Sequence, residues 1–87
     1  MERYSLELKR SASREIEDLP TKKNRRRVVD RISKLADDPR PLGSEKLAGD
    51  DRYRARQGPY RIIYAINDVA RTVVIVKIGH RREVYRR

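Results

Sequence analysis

Apolar and polar residues alternate in Tyr4-Ser5-Leu6-Glu7-Leu8, the period-two signature of a strand buried on one face. From Ser11, a residue suited to capping a helix N-terminus, the period lengthens. Ala12, Ile16 and Leu19 fall on one helical stripe with Arg14, Glu15, Glu17 and Asp18 around them, until Pro20 ends the run. A second helix is predicted where Val28, Ile32 and Leu35 repeat at helical spacing, stopping at Asp37-Asp38-Pro39. Residues 40–51 hold Pro41, Gly43 and Gly49 with little periodicity and read as a loop.

Strand patterns fill the remainder. Tyr53 and Ala55 alternate with Arg52, Arg54 and Arg56, and Gln57-Gly58-Pro59 turns the chain. Tyr60, Ile62, Tyr64 and Ile66 then alternate with Arg61, Ile63 and Ala65 as far as a turn at Asn67-Asp68-Val69-Ala70. Thr72 to Ile78 is an almost unbroken β-branched run, as expected of a central strand covered on both faces. The order is β-α-α-β-β-β, a helical hairpin beside a four-stranded sheet, in one domain spanning residues 1–87. Side-chain alternation puts Tyr53, Ala55, Tyr60, Ile62 and Tyr64 on a core face and Arg54, Arg56 and Arg61 on the opposite one.

Charge sharpens this picture. The 87 residues carry 23 Lys and Arg against 13 Asp and Glu, a net charge of +10 that favours polyanionic partners. Residues 1–50 hold 13 basic and 10 acidic groups, whereas residues 51–87 hold 10 and 3, so the excess lies in the C-terminal strands. All of those basic residues but Lys77 are arginine, whose planar fork matches a phosphate bidentately. The chain has no cysteine and one histidine, which excludes disulfides, a thiolate nucleophile and Cys- or His-rich metal sites. No apolar run approaches the ~20 residues of a membrane span, and Met1-Glu2-Arg3-Tyr4-Ser5 has no secretory character, so a cytoplasmic protein without a membrane partner is expected.

Arg54, Arg56 and Arg61, with Arg81 and Arg82 beyond Gly79, are placed to converge on one phosphate. Cleavage of RNA by its own 2′-hydroxyl needs in-line positioning, stabilisation of the phosphorane oxygens and two proton transfers. Arginine serves the first two needs and cannot act as the base. That leaves His80, Tyr85 and Glu83 for proton transfer, of which His80 alone has an ordinary pKa near neutrality. Arg52 and Arg82 extend the cationic strand surface. Lys22, Lys23, Arg25, Arg26 and Arg27 begin the second helix, where a solvated face is the first reading and a contact with ribosomal RNA or the antitoxin the second, since positive charge there opposes the helix dipole.

The strings Arg52-Tyr53-Arg54-Ala55-Arg56-Gln57-Gly58-Pro59-Tyr60-Arg61-Ile62-Ile63-Tyr64 and Val76-Lys77-Ile78-Gly79-His80-Arg81-Arg82-Glu83-Val84-Tyr85 strongly resemble the RelE/ParE superfamily of toxin-antitoxin toxins. The resemblance runs over nearly the whole chain and implies a RelE-like fold of the α+β class, with the helical hairpin on one face of a largely antiparallel four-stranded sheet. It also implies a ribosome-dependent mRNA endonuclease, an mRNA interferase that inhibits translation, needing neither metal nor cofactor and neutralised by a cognate RelB-like antitoxin. Carried over, Arg54, Arg56, Arg61, Arg81 and Tyr85 are catalytic positions, and His80 stands where some relatives place a histidine or lysine. Lysines of the familiar second-strand pattern are arginines here, which shifts proton abstraction to His80, Tyr85 or Glu83. The expected assignment is His80 as base and Tyr85 as the residue that orients the nucleotide. Two other readings share the fold: a ParE-like inhibitor of DNA gyrase without catalysis, against which the terminal Tyr85 argues, and an RNA-binding module without activity.

Overall fold

The computed structural model describes residues 3–49 and 51–80. Its elements are β1 (Ser5–Leu8), α1 (Arg10–Glu17), α2 (Lys22–Asp37), β2 (Glu45–Lys46), β3 (Arg52–Gln57), β4 (Tyr60–Asn67) and β5 (Thr72–His80). The strands form one sheet in the order β1-β5-β4-β3-β2, with β1 parallel to β5 and every other pair antiparallel. The sheet therefore has five strands and not four. The additional strand, β2, is a two-residue piece within the 40–51 loop and pairs Glu45 with Arg54 and Lys46 with Tyr53. Two residues carry no periodicity, so the loop concealed it.

The helices form because each offers one apolar stripe to the sheet. Ala12 and Ile16 of α1, Leu19, and Val28, Ile32 and Leu35 of α2 are buried against Ala55, Tyr60, Ile62, Tyr64, Val73, Ile75 and Ile78. α1 begins at Arg10 after an extended Lys9 with no side-chain cap, so Ser11 lies inside the first turn and does not cap it. It ends at Glu17, short of Pro20. α2 is capped as its sequence invites, with Thr21 Oγ1 accepting from the Asn24 amide at 3.1 Å. It stops where Asp38 turns extended before Pro39.

β4 and not β5 is the strand buried on both faces. Tyr60 through Tyr64 are all buried, whereas β5 alternates buried Val73 and Ile75 with half-buried Val74 and Val76. The β-branched run thus reflects strand propensity more than double burial. A register shift between Ile63 and Tyr64 pairs Ile63 with Lys77 and Tyr64 with Ile75, leaving Val76 as an extra residue. This lets both Ile75 and Ile78 reach the core. No helix among the described residues is long and apolar enough to cross a membrane.

Candidate nucleic-acid interface

The register of β3 and β4 fixes which side chains share a face. Tyr53 opposes Tyr64, Ala55 opposes Ile62 and Gln57 opposes Tyr60, and the Tyr and Ala members of these pairs pack toward the helices. The intervening pairs are Arg52 with Ala65, Arg54 with Ile63 and Arg56 with Arg61, so Arg52, Arg54, Arg56 and Arg61 lie on the helix-free face. Across β5 the partner of Arg61 is Gly79, which sets no side chain beside it. Arg56, Arg61 and Gly79 make one row across three strands.

Arg61 is unlike its neighbours. It is 9% exposed, between buried Tyr60 and Ile62, and its Nε is buried with no hydrogen-bond partner among the described residues. An unpartnered buried donor costs about 1–3 kcal/mol, so the fold alone gives no reason to keep a guanidinium here. Arg54 is also largely covered and makes a 2.6 Å ion pair with Glu45, its cross-strand partner on β2. Arg56 is exposed, and its carbonyl accepts from Arg31 Nε of α2 at 3.3 Å.

His80 does not join this group. It pairs with Tyr60, its ring meets the Tyr60 ring edge-on at a centroid distance of 6.2 Å, and alternation along β5 places it on the opposite face from the row through Gly79. There it lines a cleft of about 370 Å³ together with Glu15, Asp18, Leu19, Tyr60 and Lys77. Glu15 braces the cleft: its Oε1 accepts from the Ile78 amide at 2.8 Å and its Oε2 from Lys77 Nζ at 3.4 Å. Asn24 Nδ2 donates to the Tyr60 hydroxyl at 3.3 Å, tying α2 to the same end of the sheet.

The cationic start of α2 occupies a different surface. Lys22, Lys23, Arg26 and Arg27 line a shallow depression with Asp30 on the helical layer. Arg25 is drawn inward, its Nη1 donating to the Leu19 carbonyl at 2.9 Å across the interhelix turn. That donor of Arg25 thus ties the two helices together. Arg81, Arg82, Glu83 and Tyr85 lie outside the described residues.

At the far end of β4 a polar network closes the structure. Arg40 donates to both carboxylate oxygens of Asp68, at 3.2 and 2.9 Å, and to the Tyr53 hydroxyl at 3.2 Å, while the Tyr4 hydroxyl donates to Asp68 at 2.6 Å. The Arg40 hydrogen bonds, reinforced by Tyr4, hold the Asp68 carboxyl down at about 2. The same bond to Asp68 raises Tyr4. Burial raises Tyr64, whose hydroxyl donates to the Pro39 carbonyl at 2.7 Å. Tyr53, half-buried against the core, stacks on the fully buried Tyr64. Sequence reasoning passed over Glu15, Asn24, Glu45 and the Arg40–Asp68 pair, because each is a lone polar residue whose partner is fixed only by tertiary structure.

Comparison with known proteins places this geometry among toxins. A family described as the ParE toxin of type II toxin-antitoxin system, parDE, matches residues 6–85. Toxin RelG of Mycobacterium tuberculosis is 33% identical over 87 residues, covering 97% of this chain and 98% of the relative. The RelBE2 toxin-antitoxin complex of the same organism contains a chain that superposes with a TM-score of 0.80 at 28% identity, over 90% of this chain and 98% of that one. The archaeal RelE-RelB complex from Pyrococcus horikoshii OT3 gives a TM-score of 0.79 at 31% identity, over 90% and 94%.

Proposed function

The chain belongs to the RelE/ParE superfamily of type II toxin-antitoxin toxins, and from that premise we propose that it is an endoribonuclease that cleaves messenger RNA on the ribosome. The observation that carries the reading is Arg61, buried on the helix-free face with an unpartnered Nε beside Arg56 and opposite Gly79. Such a donor is suited to an oxygen that arrives from outside, and a phosphate brings several. In this reading the scissile phosphate sits over the row of Arg56, Arg61 and Gly79. The 2′-hydroxyl gives its proton to the base and attacks the phosphorus, the bond to the 5′-oxygen breaks as a 2′,3′-cyclic phosphate forms, and the departing 5′-oxygen takes a proton from water.

Arg54, Arg56 and Arg61, joined by Arg81 from the chain after β5, stabilise the charge on the phosphorane. Because His80 faces the cleft with Glu15 and Asp18, proton abstraction moves to Tyr85 or Glu83, the other titratable groups named by the sequence. Arg52 and Arg82 extend the path of the RNA backbone. Lys22, Lys23 and Arg26 sit on the helical layer and are assigned to ribosomal RNA, away from the scissile phosphate. An acidic antitoxin that covers the arginine face would silence the protein, in keeping with the antitoxin complexes in which its structural relatives were solved.

A second reading, non-catalytic inhibition of DNA gyrase, draws on the description of the matching family and on the orientation of His80 away from the arginines. Adding the purified protein to a translation reaction and to a gyrase supercoiling reaction separates the two. The nuclease reading expects translation to stop with supercoiling intact. Loss of supercoiling with translation undisturbed would install the gyrase reading instead.

A further inference from the structure

The helix-free face carries its own anion. Glu45 stands directly across from Arg54 on β2, and its Oε2 lies 2.6 Å from the Arg54 guanidinium. The pair is lopsided: the Arg54 side chain is 13% exposed, the Glu45 side chain 61%. Arg54 is two residues from Arg56 on one strand, about 7 Å along the same face, and Arg56 opposes Arg61. The carboxylate therefore occupies the flank of the proposed phosphate row.

We propose that Glu45 is an internal counter-ion that an RNA phosphate displaces from Arg54, so that it sets the threshold affinity of this face for RNA. Carboxylate and phosphate oxygens are both acceptors for a guanidinium, so a phosphate oxygen can take the place that Glu45 Oε2 holds on Arg54 Nη2. The exchange is inexpensive because an ion pair with a mostly exposed carboxylate contributes little. β2 is also lightly held. It is two residues long and forms the sheet edge, anchored by its pairing with β3 and by the Leu47 amide donating to the Arg52 carbonyl at 2.8 Å. Before RNA arrives, the carboxylate competes with other anions for Arg54; once displaced, Glu45 turns to solvent.

The proposal rests on the RNA-binding reading of this face, and a double-mutant cycle keeps the two distinguishable. Binding of a fluorescent single-stranded RNA oligonucleotide to the full chain is measured by anisotropy for wild type, Glu45→Gln, Arg54→Ala, the double variant and Arg61→Ala, with each fold checked by thermal melting. Glu45→Gln is expected to tighten binding about five-fold in the wild-type background and less than two-fold once Arg54 is absent. Equal tightening in both backgrounds would reduce Glu45 to a general charge effect, and unchanged or weaker binding would make it a support for Arg54; either overturns the proposal. Loss of affinity in Arg61→Ala establishes the face as the RNA site independently of Glu45. RNA binding indifferent to Arg61, or none at all, overturns both the site and the proposal.

Discussion

Arg61 is a residue that the core would replace if stability were the only demand. Its aliphatic stem fits a strand in which Tyr60, Ile62 and Ile63 are buried, while its Nε goes unpartnered. Arg61→Met keeps the stem and removes the orphan donor. Chemical denaturation is expected to show the variant more stable by about 1–2 kcal/mol, with RNA binding weakened; a destabilised variant would mean that the guanidinium supports the fold. Tyr64→Phe works in the opposite direction. It leaves the Pro39 carbonyl without its 2.7 Å donor and should cost about 1–3 kcal/mol in the same experiment. Asp68 makes stability depend on pH. Its carboxyl lies at about 2 in the folded protein against an ordinary 3.8, so its stabilisation is complete above 3.8 and is lost as pH falls toward 2. Asp68→Asn should therefore melt at a lower temperature than wild type at neutral pH, with the gap closing across that window.

Individual elements show how far a one-dimensional pattern reaches. Both helices, β1 and the three long strands were legible because helical spacing, alternation or a β-branched run marks each of them, and the alternation of β3 placed its arginines on the helix-free side. β2 was illegible because two exposed residues have no period. The start of α1 moved from Ser11 because the helix forms without a side-chain cap. The face of His80 was not legible either. The bulge at Val76 slips the register of β5 against β4, and only the observed pairing sets Gly79 over Arg61 and His80 over Tyr60. The same strand end depends on Glu15, which ties the Ile78 amide to α1. Glu15→Ala is expected to destabilise the protein by about 1–3 kcal/mol, and Glu15→Gln, which keeps an acceptor oxygen, by less.

For the molecule as a whole, layering separates two cationic surfaces: the arginine face opposite the helices and the patch of Lys22, Lys23 and Arg26 on the helical layer. On the proposed reading a net charge of +10 favours RNA at either surface, and among the described residues it is the first that holds a buried guanidinium Nε without a hydrogen-bond partner, that of Arg61. The proposed reading therefore expects salt to weaken binding by wild type and variants alike, and cleavage to depend on Arg61. The most direct measurement maps new 5′ ends by primer extension on a message translated in the presence of wild-type or folded Arg61→Met protein. Cuts within codons that vanish in the variant are the predicted result. Equal cutting by both proteins, or an intact message with either, would contradict the assignment of this face to phosphoryl chemistry.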